Sequence, residues 1–304
     1  MSSLNDYEVL MNLVSVRDFA HPIWDEIDVD EPVSAKFDSL MDHCMDHGLD
    51  IDDYVFLVTK GGIVIGFAEY EPTTDETAND VMLPITPSLM ISNDTSLVDA
   101  VSIFANDSLW NSWFQKAGLG EGECPLGNRV LFVLRGNRIT HLARYKHLLG
   151  LPLRMIVFSL LISLESRILT ILQQKPKESI SFLFDKRLDK AVKTCKDRKV
   201  KKQSDGSYSP QEILNSTTFS DRCRILLKFN RGLTNLPFVN KSEAKSFLGR
   251  LEELRNDIAH SRHNEKIARD PHLLHQILNS LLHLLKALEM PLKGNLFENS
   301  KIAK

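Results

Sequence analysis

The chain lacks paired cysteines. Its four, Cys44, Cys124, Cys195 and Cys223, are scattered without a CxxC pair. That argues against a disulfide scaffold and a zinc ribbon, and it fits a reducing cytoplasm. Net charge is also scarce: 37 Lys+Arg stand against 40 Asp+Glu, a formal −3. No global basic field attracts nucleic acid, so any such contact must be local. The first residues, MSSLNDYEVLMNL, have no basic stretch leading into an apolar core, and no signal peptide is expected. The most apolar stretch, 151–172, carries Arg154, Glu165 and Arg167. Its uncharged core from Met155 to Leu164 is too short to span a bilayer. It reads as a buried core helix, and no membrane partner is expected.

What remains is an ordinary globular composition, 43% hydrophobic and 25% charged over 304 residues. Two domains are the natural division of that length. The first half reads as mixed α/β. Residues 53–68 (DYVFLVTKGGIVIGFA) form two β-rich runs around a Gly-Gly turn, a hairpin signal. Residues 129–143 (RVLFVLRGNRITHLA) have the same form, with Gly136-Asn137 at the turn. The two align without a gap at an offset of 75, placing Val55 on Val130 and Gly61 on Gly136. A helix is expected before each hairpin, at about 33–47 and 96–105, and Val33 falls on Leu97 at an offset of 64. The second copy therefore carries 11 extra residues, the difference of the offsets, within Asp107–Asn128. The expected unit is strand, helix, strand, strand, helix, opened by 27–29 in one copy and 88–91 in the other. It is an internal repeat.

This arrangement resembles a tandem CBS-domain (Bateman-type) module over residues 1–150, with copies at about 12–75 and 84–149. Residues 86–100 (TPSLMISNDTSLVDA) look like the entry strand and first helix of the second copy, and 137–148 (NRITHLARYKHL) like its exit. The resemblance implies an adenine-nucleotide-type effector bound in clefts between the copies. The chain departs from the family where a Thr or Ser and then a ribose-holding Asp are usual. Arg144 and His147 stand there in the second copy, Glu69 and Pro72 in the first. Arg144, Lys146 and His147 are the candidate contacts to a phosphate-rich ligand or to RNA, or simply a solvated turn.

The second half, 151–304, reads as helical. Gly150 ends one element and Pro152 suits the first turn of the next. Helices are expected over 153–174, 178–202, a short segment from Pro210, 219–229, 241–263 and 271–290. The last carries an apolar stripe from Leu273 to Leu288. The fold class is thus α+β, multidomain: an α/β tandem repeat followed by an all-α bundle.

One segment carries chemistry: Glu252-Glu-Leu-Arg-Asn-Asp-Ile-Ala-His-Ser261. Arg255 and His260 are separated by four residues, and Asn256 follows the arginine. On a helix Asn256 and His260 share a face, while Arg255 lies roughly 140° from His260. The segment resembles the R-x4–6-H motif of HEPN domains, helical bundles that often act as metal-independent ribonucleases. RNA carries its own nucleophile, the 2′-hydroxyl. A histidine can shuttle the proton, and an arginine fork can hold the phosphorane charge. The resemblance implies catalytic Arg255, Asn256 and His260, no required cofactor and an RNA substrate. It also implies a homodimer whose two motifs face one groove, in stress response or antiviral defence. An R-N-x-x-x-H segment also occurs where such domains only bind or only pack.

The cationic run 196–202 (KDRKVKK) offers Lys199, Lys201 and Lys202, with Arg262 beyond the motif, to guide RNA. The same lysines suit a solvated helix end. Glu165 is a charge in an apolar helix and must pair or face a cleft. His260/His263 and His272/His275 are i, i+3 pairs, yet no HExxH or cysteine pattern supports a metal.

Overall fold

The computed structural model describes residues 14–23, 25–36, 40–42, 45, 55–69, 76–120, 122–228, 240–259, 267 and 269–288. It is mixed α+β, with two four-stranded sheets. All strands among the described residues precede Tyr145. The chain divides into two compact units. One runs to Leu153 and takes in Ile267–His275; the other begins at Arg154 and takes in the chain from Gln276.

The first unit is built as a repeat. Strands β1 (His21–Pro22), β2 (Glu26–Asp28), β3 (Val55–Lys60) and β4 (Ile63–Glu69) are followed by β5 (Leu83–Pro84), β6 (Met90–Ser92), β7 (Val130–Arg135) and β8 (Arg138–Arg144). In one sheet β2 lies parallel to β3 with Ile27 opposite Val58. In the other β6 lies parallel to β7 with Ile91 opposite Val133. The pairs are related by the same offsets of 64 and 75 as the sequence. Each hairpin even bulges at the equivalent place, between Val58 and Thr59 and between Val133 and Leu134. Gly61, Gly62 and Gly136 adopt positive φ at the turns, where a side chain is strained.

The short leading strands cross over. β1 pairs with β8, and β5 pairs with β4, so each copy's entry strand completes the other copy's sheet. Two-residue strands carry no periodicity, which is why the sequence pattern does not announce them. Gly66 is needed at this crossing, because a Cβ there would collide with the Met82 side chain and the Leu83 carbonyl. Apolar alternation then fills the copies. Val33 and Leu40 are buried in one, Leu97 and Phe104 at equivalent places in the other. Phe67 meets Phe132 across the copies, with ring centroids 5.0 Å apart.

Helices α1 (Ala78–Val81), α2 (Leu97–Phe104), α3 (Asp107–Lys116) and α4 (Tyr145–Leu148) belong to this unit. The extra residues of the second copy contain α3, whose Trp110 and Trp113 are buried. Trp110 Nε1 donates to the Ile103 carbonyl at 2.9 Å and Trp113 Nε1 to that of Pro84 at 3.0 Å. Tyr145 donates from its hydroxyl to the Ile267 carbonyl at 2.7 Å.

The second unit holds α5 (Leu151–Gln173), α6 (Pro176–Ser181), α7 (Asp185–Asp197), α8 (Pro210–Asn215), α9 (Phe219–Lys228), α10 (Lys241–Ala259) and most of α11 (Pro271–Ala287). Two expectations need correction. The helix expected over 178–202 is broken into α6 and α7, because Phe182 caps one helix and Phe184 starts the next. And α5 is not wrapped on all sides. Leu160, Leu164 and Ile168 are buried, while Leu151, Met155 and Ile162 are exposed. Its length and composition would suit a membrane span, with 44% of its most apolar window buried. The charges on α5 turn to polar work, Arg167 donating from Nη1 to the Leu285 carbonyl of α11 at 2.8 Å.

Candidate functional site

The site is assembled at the end of α10. Asn240 starts this helix, its Oδ1 accepting the Glu243 N–H at 2.9 Å. Ala244, Phe247, Leu248, Leu251 and Leu254 form the buried stripe. At helical spacing that stripe leaves Arg255 half-buried and Asn256 exposed at its edge. His260 and Arg262 lie outside the described residues.

Arg255 is braced from α5. Glu165 Oε2 stands 3.7 Å from its Nη2, while Glu165 Oε1 accepts from Arg222 Nη1 at 2.8 Å. One carboxylate thus holds two arginines from two other helices. Arg222 is buried and bonded at all three nitrogens: besides the Nη1 bond, Nε donates to Thr217 Oγ1 at 3.2 Å and Nη2 to the Asn215 carbonyl at 3.2 Å. Burial pulls its guanidinium below the usual arginine value; Glu165 opposes this, and the nearby Arg198 and Arg255 charges add to it. Arg255 is different. Its side chain is 35% exposed, and its Nε has no hydrogen-bond partner among the described residues. That Nε is itself buried, so only the partly exposed outer end of the guanidinium can face an oxyanion.

Sequence reasoning missed Arg222, Asp221 and Arg187. Asp221 closes a capping box on α9, its Oδ2 accepting from the Thr218 N–H at 3.2 Å and from Thr218 Oγ1 at 2.7 Å. Arg187 Nη1 lies 3.3 Å from its other oxygen. The spacing Thr218-x-x-Asp221 is a readable cap signal. Nothing local marks Arg222 as a partner for Glu165, since 57 residues separate them. Cys223 beside them is buried, and burial first, then Glu252 and Glu165, push its thiol far up, so it stays protonated and unreactive.

The remaining candidates fall elsewhere. Arg144 is buried, donating from Nη1 to the Gly127 carbonyl at 2.6 Å and from Nη2 to Glu69 at 2.9 Å. Glu69 and Arg144 are equivalent residues of the two copies, so the repeat pairs these positions with each other. His147 is half-buried; its Nδ1 accepts the Arg144 N–H at 3.2 Å, and its ring centroid lies 4.0 Å from that of His21. Lys146 is exposed. Lys199, Lys201 and Lys202 are exposed beyond α7, Lys202 Nζ lying 5.7 Å from the Tyr208 ring centre.

No protein-family model, curated protein or solved structure matches this chain.

Proposed function

We propose that the helical unit is a metal-independent endoribonuclease of the HEPN kind, regulated by the CBS-like unit before it. The observation that carries this reading is the bracing of the motif arginine. Glu165 holds the partly exposed Arg255 guanidinium on α10, with the exposed Asn256 beside it. In the reaction the 2′-oxygen attacks the adjacent phosphorus and the P–O5′ bond breaks. His260 takes the 2′-hydroxyl proton and a proton is delivered to the departing 5′-oxygen. Arg255 stabilises the phosphorane charge, and Asn256 orients the phosphate. The nucleophile is the RNA's own, so no metal is needed to generate one. Two copies of the chain, each giving one motif to a shared groove, complete the site.

The test is cleavage of total RNA in EDTA by wild type, Arg255→Ala and His260→Ala. Wild type yields fragments ending in 2′,3′-cyclic phosphate, and both variants leave the RNA intact. Intact RNA with wild type under every nucleotide of a panel of adenine and alarmone effectors sinks the reading.

A second reading of the front unit has its own support. The positions where CBS pairs usually carry a Thr or Ser, ahead of the ribose-holding Asp, are occupied by the Glu69–Arg144 ion pair. On this reading the repeat is a scaffold without a nucleotide, and a separate partner controls the nuclease. Calorimetry with ATP, ADP and AMP separates the two.

A further inference from the structure

Outside the Arg255 cluster, the described residues of the second unit expose one large aromatic among cations. Phe184, between α6 and α7, is 66% exposed. A singly exposed ring needs no explanation by itself; this one is set among cations. Its position is well defined. Lys228, the last residue of α9, donates from Nζ to the Phe182 carbonyl at 2.9 Å and places the same Nζ 4.3 Å from the Phe184 ring centre. The ammonium covers part of one ring face, and most of the ring remains open to solvent. Exposed Lys186 and Lys190 lie on the first turns of α7, and exposed Arg224 lies one turn before Lys228 on α9. Asp185 and Asp189 are the acids among them. Arg187, on the same stretch, reaches Asp221, whose neighbour Arg222 binds the Glu165 that braces Arg255. The patch and the motif are thus bordered by neighbouring residues of α7 and α9.

We infer that Phe184 and Lys228 form a stacking platform for an unpaired nucleobase, Lys228 meeting the adjoining phosphate. The ligand class is single-stranded RNA. An aromatic face accepts any base, and a neighbouring cation takes the backbone, which is the chemistry of sequence-tolerant single-strand binding. A duplex keeps its bases stacked and cannot use the ring. This inference deepens the ribonuclease reading and rests on it for the choice of RNA.

The test separates binding from cleavage by using a fluorescent 2′-O-methyl oligouridylate, which has no free 2′-hydroxyl to attack. The full chain is titrated as wild type, Phe184→Ala, Phe184→Trp and Lys228→Ala. Phe184→Ala is expected to bind roughly 5- to 100-fold more weakly, as loss of one stacked base implies. Phe184→Trp retains or improves affinity, and Lys228→Ala flattens the salt dependence by about one ion. Because the ring is exposed, the Phe184 variants should keep the wild-type melting temperature. Equal binding by Phe184→Ala overturns the platform, as does equal binding of a duplex of the same length. An anionic vesicle that sediments with wild type but not with Phe184→Ala, while oligouridylate binding is unchanged, assigns the ring to a lipid surface and overturns it too. Phe184-dependent binding without cleavage of ordinary RNA retains the platform and rejects the nuclease.

Discussion

Single residues here are tuned by what they touch across the chain. Asp107, at the start of α3, is held by Arg129 Nη2 at 2.8 Å and by His272 Nε2 at 2.6 Å. Burial alone would raise its carboxyl, but the bonds and charges of Arg129 and His272 outweigh it and leave the group below the ordinary aspartate value. The folded state therefore binds this proton less readily than the unfolded chain. The stability so gained is complete above about pH 4 and is lost as the pH falls further, through the folded value. Asp107→Asn removes that dependence. Urea midpoints taken from pH 5 down to pH 2.5 should fall less steeply for Asp107→Asn than for wild type; parallel curves would reject the coupling. The sequence offers Asp107 only as an acidic first-turn residue, since His272 lies 165 positions away.

At the scale of elements, ends matter more than middles. Helix α7 closes with the bonds Val200 N–H to Cys195 carbonyl, 3.0 Å, and Lys199 N–H to Lys196 carbonyl, 3.0 Å. This is the Schellman pattern, and Val200 packs against the cluster of Ala191, Cys195 and Ile213. The left-handed position falls to Lys199, at φ 54°, where glycine is usual. A lysine there costs about 1 kcal/mol. Lys199→Gly should raise the urea midpoint by a corresponding amount, and an unchanged or lower midpoint would contradict the cap. The cap also explains why the cationic run 196–202 does not continue the helix. The apolar periodicity of 178–202 suggested one helix, yet the chain breaks at Phe182–Phe184, where the two helices need separate ends. By contrast, α10 and α11 follow their apolar stripes closely, because a long period of 3.6 is a strong signal.

For the molecule as a whole, the repeat decides the first unit. Each entry strand completes the other copy's sheet, and Glu69 of one copy binds Arg144 of the other. Arg144 is 9% exposed at its side chain, so removing either partner strands a charge or leaves donors unmet. Arg144→Met alone should cost about 3 kcal/mol, and the double variant Glu69→Leu with Arg144→Met should cost less than the sum of the single ones. Additive costs in a denaturation cycle would mean that the pair is not coupled.

Much of this architecture could be read directly. The offset of 75 aligned the two hairpins and that of 64 the segments before them, and the two sheets keep both relations; that Ile27 pairs with Val58 and Ile91 with Val133 came from the tertiary structure. The motif Arg255-Asn256 was equally visible as a local string. What depended on the tertiary structure was partnership over distance: Glu165 with Arg222 and Arg255, Asp107 with His272, and Glu69 with Arg144. Periodicity describes the environment of one element. A charge finds its counter-charge only when packing brings distant elements together, and no local pattern encodes that meeting.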